Sequence, residues 1–177
     1  MKLLHIDSSA LGAHSASREI GAAVVAHLRA TVPGLQVEHR DLDLQPLPHL
    51  DSRSLAGSDA VRAQQDEAVL QQFLDADIVV IGAPMYNFTI PSTLKAWIDR
   101  IAVAGRTFRY TENGAQGLAG GKRVIVASAR GGVHHGQRTD FVEPYLQQVF
   151  GFLGIDRVEF VRAEGLALSP AHRERAL

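Results

Sequence analysis

The chain has 177 residues, a net charge of −1 and no cysteine. That length suits one α/β domain with its own core, spanning residues 1–177. The near-neutral charge with scattered basic residues supplies no field for nucleic acid. Absence of cysteine excludes disulfides, thiol nucleophiles and cysteine-ligated metal or iron–sulfur centres, and fits a cytoplasmic protein. No signal-peptide pattern follows Met1, and no apolar run approaches membrane-spanning length.

Residues 2–7 read as a first strand, with Leu3, Leu4 and Ile6 apolar. A Ser/Gly-containing loop from Ser8 leads to a helix over 17–31, with Ile20, Val24 and Leu28 on one face. A strand, a serine-rich turn and a helix N-terminus can bind an anion through free N–H groups, the helix dipole and hydroxyl donors. Ser9, Ser15 and Ser17 sit around that turn, and Arg18 could add charge. Ordinary N-capping by Ser15 or Ser17 explains the same residues. The loop has neither GxxxxGK[ST] nor GxGxxG, which argues against a P-loop and a dinucleotide site.

Pro33-Gly34 makes a turn before a second strand over 35–41, and residues 43–58 form a polar connection. A helix over 59–76 turns Leu70, Phe73 and Leu74 inward. Asp77-Ile-Val-Val-Ile-Gly-Ala-Pro84 then reads as a central strand buried on both faces, with regular pairing stopping at Pro84. Met85-Tyr86-Asn87-Phe88 follows in a strand-to-helix loop. Such a loop lies at the carboxyl edge of the sheet, where open α/β sheets bind ligands. Its large side chains and one amide suit a platform for a flat ring; a hydrophobic loop packed on a neighbour or a subunit is the alternative. Pro91 belongs in the first turn of the next helix, which buries Leu94, Trp97, Ile98 and Ile101.

Residues 105–121 make an excursion, with Thr107–Thr111 and Asn113-Gly114 suggesting a hairpin. A strand over 123–128, a loop over 129–136, a helix over 140–153 and a strand over 158–163 complete the pattern. Gly131-Gly132 is a tight turn or a place of close backbone approach to a ligand edge. His134 is a candidate hydrogen-bond partner of ligand or substrate. No carboxylate or third histidine stands at metal-ligand spacing from His134 and His135, so no metal site is expected. The last helix, opened by Ser169-Pro170, is too short to cover its face; more chain past Leu177 or another subunit would fill the gap. The alternation of strands and helices predicts a parallel five-stranded sheet with helices on both faces.

With these loops in place, the chain resembles the FMN-dependent NADH-azoreductase and quinone reductase family. The residues carrying the resemblance are Pro84–Phe88 with Ile90-Pro91 and Leu94-Lys95, Thr107–Thr111 with Asn113-Gly114, and Arg130-Gly131-Gly132. Gly151-Phe152, Gly154-Ile155 and Ala163-Glu164-Gly165 add to it. The resemblance implies a flavodoxin-like three-layer α/β/α fold with strand order 2-1-3-4-5. It implies FMN as cofactor, NADH or NADPH as donor, and quinones and aromatic azo compounds as acceptors. Ser9, Ser15, Ala16 and Ser17 would bind the phosphate and ribityl chain, and Met85, Tyr86, Asn87 and Phe88 would wrap the ring. Ala129-Arg130-Gly131-Gly132, with Ser128 before it, would contact the pyrimidine edge. Phe88, Tyr110, His134 and Phe152 would line the substrate side, in part from the partner subunit of a homodimer. No residue reads as a covalent catalyst, so the chemistry belongs to the cofactor, in a two-electron ping-pong cycle. A flavodoxin-type electron carrier would have a strongly acidic surface, which the charge does not supply. A flavin-free nucleotide-binding or regulatory domain on the same fold is the third possibility.

Overall fold

The computed structural model describes residues 1–177. In chain order the elements are β1 (Lys2–Asp7), α1 (Ala16–Thr31), β2 (Gln36–Asp41), α2 (Ser52–Leu55), α3 (Ala60–Asp75), β3 (Ile78–Pro84) and α4 (Ser92–Ile101). Then come β4 (Phe108–Thr111), β5 (Gly114–Gly117), β6 (Arg123–Ala129), α5 (Glu143–Phe152), β7 (Arg157–Ala163) and α6 (Pro170–Ala176). Five parallel strands form one sheet in the order β2-β1-β3-β6-β7, and β4-β5 is a separate antiparallel hairpin. Counting only the strands of the large sheet, this is the expected order 2-1-3-4-5.

The sheet is parallel because each crossover carries a helix, and the apolar strands are covered on both faces. β3 is buried at every residue, as its β-branched run requires. It runs through Pro84 without losing a ladder bond. Alternate residues of a parallel strand bond to opposite neighbours. Met85 N–H reaches Ala129 O at 2.8 Å, so Pro84 faces the β1 side, where pairing has already ended at Asp7 opposite Gly82.

The larger core lies between the sheet and α3, α4 and α5, around Ile81, Phe73, Trp97, Leu146 and Phe150. The smaller core lies under α1, around Leu3, Val25, Leu28, Val80 and Ile125. α6 is too short to close this second face. An apolar cleft of about 650 Å³ remains there, lined by Ile20, Val24, Leu28, Ile125, Val161 and Leu177 among others.

Three boundaries differ from expectation. Pro91 caps α4 from outside instead of occupying its first turn. α5 starts at Glu143, because the Asp140 carboxylate bonds the N–H groups of Val142 (3.0 Å) and Glu143 (3.3 Å) in a turn before the helix. The polar connection contains the short α2, nucleated by a capping box between Asp51 and Ser54. No helix is long and apolar enough to cross a membrane.

Candidate active site at the carboxyl edge of the sheet

Three loops leave the carboxyl ends of β1, β3 and β6. In the first, Ser9, Ser15 and Ser17 are all buried. Ser15 caps α1 by accepting from Arg18 N–H at 3.3 Å, and its Oγ lies 3.0 Å from Ser17 Oγ. The N–H groups of buried Ala16 and Ser17 bond no protein acceptor. Two orphaned donors, two hydroxyls and the positive end of a 16-residue helix make an anion site. Arg18 does not contribute its charge, contrary to expectation. Its guanidinium grips Asp41 through two bonds (2.5 and 2.8 Å) and donates to Ser9 O at 2.9 Å. That pairing holds the Asp41 carboxyl below the usual range and raises Arg18 further.

The second loop is a tight turn. Tyr86 and Thr89 exchange backbone bonds of 2.9 and 3.1 Å, and Asn87 and Phe88 between them have φ of +48° and +72°. Positive φ at both central positions is the type I′ pattern, which asparagine tolerates and phenylalanine does not. A bulky residue in that region costs about 1–3 kcal/mol, and such strain persists where neighbours impose it. Here Phe88 O accepts from Phe141 N–H at 3.1 Å, and the Phe88 ring stands edge-on to His134 with centroids 6.0 Å apart. Phe88 is half-exposed despite this, and the N–H groups of Asn87 and Phe88 bond nothing in the protein. Met85 packs on the larger core beneath them. Tyr86 joins this loop to the first: its hydroxyl lies 3.0 Å from Ser9 Oγ and accepts from Ala10 N–H at 3.1 Å.

The third loop follows β6. The N–H groups of Gly131 and Gly132 are again unpartnered, while their carbonyls accept from Ala167 and Gly165. Gly132 lies under His134: a Cβ there would come 2.8 Å from His134 Nε2. Two expectations fail in this loop. Arg130 is fully buried and turned away, bonded to Glu164 (2.9 Å), Asp140 (3.0 Å) and Glu143 (2.7 Å). Its N–H and C=O are taken by Ala163 and Leu166, so it offers a ligand nothing and holds the loop instead. Ser128 is buried and alternates onto the larger core with Val124 and Val126, its hydroxyl without a partner. Ala129 gives its carbonyl to Met85 and thereby fixes the second loop.

Sequence reasoning missed what keeps the third loop in place. One oxygen of Glu164 accepts from Arg130, His134 N–H and His135 N–H, the last two at 2.8 Å. Burial pushes the Glu164 carboxyl up, but these donors outweigh it and hold it below the usual range. Burial likewise opposes Glu143, and Arg162 and Arg130 together bring it down. His135, Asp140 and Glu143 lie at metal-ligand distance after all, but two guanidinium groups already fill that space. His134 Nδ1 lies 2.9 Å from Thr139 Oγ1, which fixes the ring beside Phe88.

Tyr110 and Phe152 are not brought to these loops within one chain. The hairpin follows the end of α4 and feeds the start of β6, and Phe152 ends α5. Helices that run back along a parallel sheet end at its amino edge, opposite the three loops. There Phe108 packs tilted against Phe152 at 4.5 Å and edge-on to Tyr110 at 5.6 Å, with Tyr110 76% exposed.

The family model for the flavodoxin-like fold, Flavodoxin_2, matches residues 1–177. The chain is 67% identical over its whole length to an FMN-dependent NADH:quinone oxidoreductase of Stenotrophomonas maltophilia (strain K279a), covering 91% of that protein. The crystal structure of azoreductase AzrA superposes with a TM-score of 0.91 at 30% identity, over 99% of this chain and 93% of that one. An FMN-dependent NADH-azoreductase from Bacillus anthracis str. Ames Ancestor, solved in complex with FMN, gives 0.86 at 27% identity, over 99% of each chain.

Proposed function

This chain belongs to the flavodoxin-like fold family, and from that premise we propose that it is an FMN-dependent NADH:quinone oxidoreductase that also reduces aromatic azo compounds. The observation that carries the proposal is the bond between Ser9 Oγ and Tyr86 OH, which ties an anion-ready turn to a strained aromatic loop. A phosphate on one side and a flat ring on the other is the chemistry of a flavin mononucleotide. The groups fit: the buried N–H pair at Ala16–Ser17 has no protein acceptor, and the open pairs at Asn87–Phe88 and Gly131–Gly132 are free of protein acceptors and can donate to a ligand.

Bound FMN would supply the redox chemistry, two-electron exchange between NADH and the acceptor. The chain's own residues bind and orient. Ser9, Ser15, Ala16 and Ser17 hold the phosphate end; Met85, Tyr86, Asn87 and Phe88 hold the ring. Gly131 and Gly132 present two fixed donors to its polar edge, which stabilises charge gathering there. Arg130, Asp140, Glu143 and Glu164 set the position of those donors. His134 and Phe88 face the open side, where donor and acceptor would bind in turn.

The open side is completed by a second copy of the chain. Support comes from Tyr110 and Phe152, which lie at the far edge within one protomer, and from exposed Phe88, Val133, Phe141 and Leu168 around the three loops. Residues 1–177 then act as one domain per protomer, in the cytoplasm, a placement supported by the lack of cysteine. Addition of FMN to the apoprotein should give a bound-flavin spectrum, and initial rates with NADH and a quinone should give parallel double-reciprocal lines. Failure to retain flavin removes the proposal; intersecting lines with both substrates bound together remove the shared site at which donor and acceptor bind in turn.

A further inference from the structure

We propose that His5, Asp7 and His39 form a binding site for a divalent transition metal of zinc type, which fastens the edge strand β2 to β1 beneath α1. Leu3, His5 and Asp7 alternate along the α1-facing side of β1. That row begins apolar and should remain so under a helix, yet His5 and Asp7 are both buried. His39 is the register partner of His5 on β2, their rings 4.8 Å apart. His39 Nε2 lies 2.9 Å from Asp7 Oδ2, and His5 Nε2 lies 3.8 Å from Asp7 Oδ1. His5 Nε2 and Asp7 Oδ1 are buried without any hydrogen-bond partner. Their spacing is too long for a hydrogen bond, but two metal–ligand bonds of about 2.1 Å span up to about 4.2 Å.

Two imidazoles and a carboxylate, their donor atoms within 4.8 Å of one another, are a ligand set for zinc and its first-row neighbours. The half-exposed His39 ring can swing to close the remaining distance. Space is kept on the helix side by Gly21, in the interior of α1, where a Cβ would stand 2.9 Å from His5 Nε2. The fourth position opens into a cleft of about 600 Å³, also lined by Glu19, Asp41 and Asp43. One cation is near: Arg18 Nη1 lies 3.6 Å from Asp7 Oδ2. Both of its terminal nitrogens are committed to Asp41, so it leaves the inner oxygen of Asp7 untouched. No spacing rule finds this site in the sequence, because His39 and Asp7 are 32 residues apart.

The test uses untagged, FMN-loaded full-length protein stripped of metal and titrated with Co²⁺ and then Zn²⁺. Wild type should take up one equivalent of Co²⁺ with visible d–d absorption, lose that absorption to Zn²⁺, and gain melting temperature on binding. His39→Ala, at a half-exposed position outside the flavin site, should retain FMN and quinone turnover. Its metal affinity should fall by no less than the about 10–100-fold that loss of an outer-shell partner costs. His5→Asn should do the same from the buried side. His135→Ala, at the other histidine–carboxylate cluster, should bind metal as wild type does. Absence of Co²⁺ uptake by wild type, equal affinity in His39→Ala, or loss of binding in His135→Ala overturns the site, and none of these outcomes bears on flavin binding.

Discussion

Arg130 shows how a residue can matter to a site it does not enter. Its guanidinium is fully buried among Asp140, Glu143 and Glu164, and the loop carrying Gly131 and Gly132 hangs from that cluster. Removing one partner from a buried ionic cluster costs about 3–5 kcal/mol, because the remaining charges stay desolvated. Arg130→Met should therefore lose stability of that order at neutral pH and weaken flavin binding. The pH dependence has a definite sign. Glu143 and Glu164 have depressed folded pKa values, so the stability they contribute is present above the ordinary glutamate range and is lost as pH falls through the depressed values. Without the Arg130 cation, Glu143 and Glu164 lose a partner that favours their charged forms and protonate more readily than in wild type. The stability gap between the two proteins should narrow on acidification. Urea unfolding at neutral pH and at about pH 4, where unfolded glutamates titrate, measures it; a gap that is constant with pH contradicts this account.

At the scale of elements, the hairpin is fastened by close backbone approach. A Cβ on Gly117 would stand 2.1 Å from Gly154 N and 2.3 Å from Leu153 C, in the turn that ends α5. Backbone cannot yield there as a flexible side chain would. Ala119 N–H also bonds Leu153 O at 2.9 Å, so the hairpin and the end of α5 move as a unit. Gly117→Ala should cost at least the about 1–3 kcal/mol typical of overpacking. It should also displace Phe108 and Tyr110 from Phe152. Thermal unfolding reads the first effect. If the hairpin serves a second protomer's site, the variant should raise KM for quinone more than it alters flavin affinity. An unchanged melting temperature would show that the backbone contact is looser than 2.1 Å implies.

For the whole molecule, the open question of geometry is what meets the three loops. Phe88, Val133, Phe141 and Leu168 around these loops are each more than half exposed, as is Tyr110 at the far edge. The proposed homodimer would cover such groups and would carry Tyr110 and Phe152 to an active site they cannot reach alone. The double variant Tyr110→Glu/Phe141→Glu should sediment as a monomer, keep the fold by circular dichroism, and lose quinone turnover at least tenfold, a loss of about 1.4 kcal/mol in transition-state stabilisation. An active, FMN-loaded wild-type monomer would refute the dimeric site.

The amino-acid sequence by itself determined the main strands and helices and the class of sheet, but not the short α2. Apolar runs such as 78–81 and helical spacing such as Leu94, Trp97, Ile98 and Ile101 are local patterns, and burial follows them directly. The three loops at the carboxyl edge were legible for the same reason, since each directly follows a strand. Partnerships between distant residues were not legible. Arg18, in the first turn of its helix, could add charge to the anion turn on sequence alone, and folding places Asp41 on its guanidinium. Arg130 was read from its neighbours Gly131 and Gly132, while its three carboxylates come from α5, its preceding turn and the end of β7. The resemblance places Phe152 and Tyr110 on the substrate side in part from a partner subunit, and the direction in which α5 runs puts them at the edge opposite the loops of their own chain. Side-chain charge, burial and reach are settled by which strands pair and which way the helices return, and those are properties of the packed sheet.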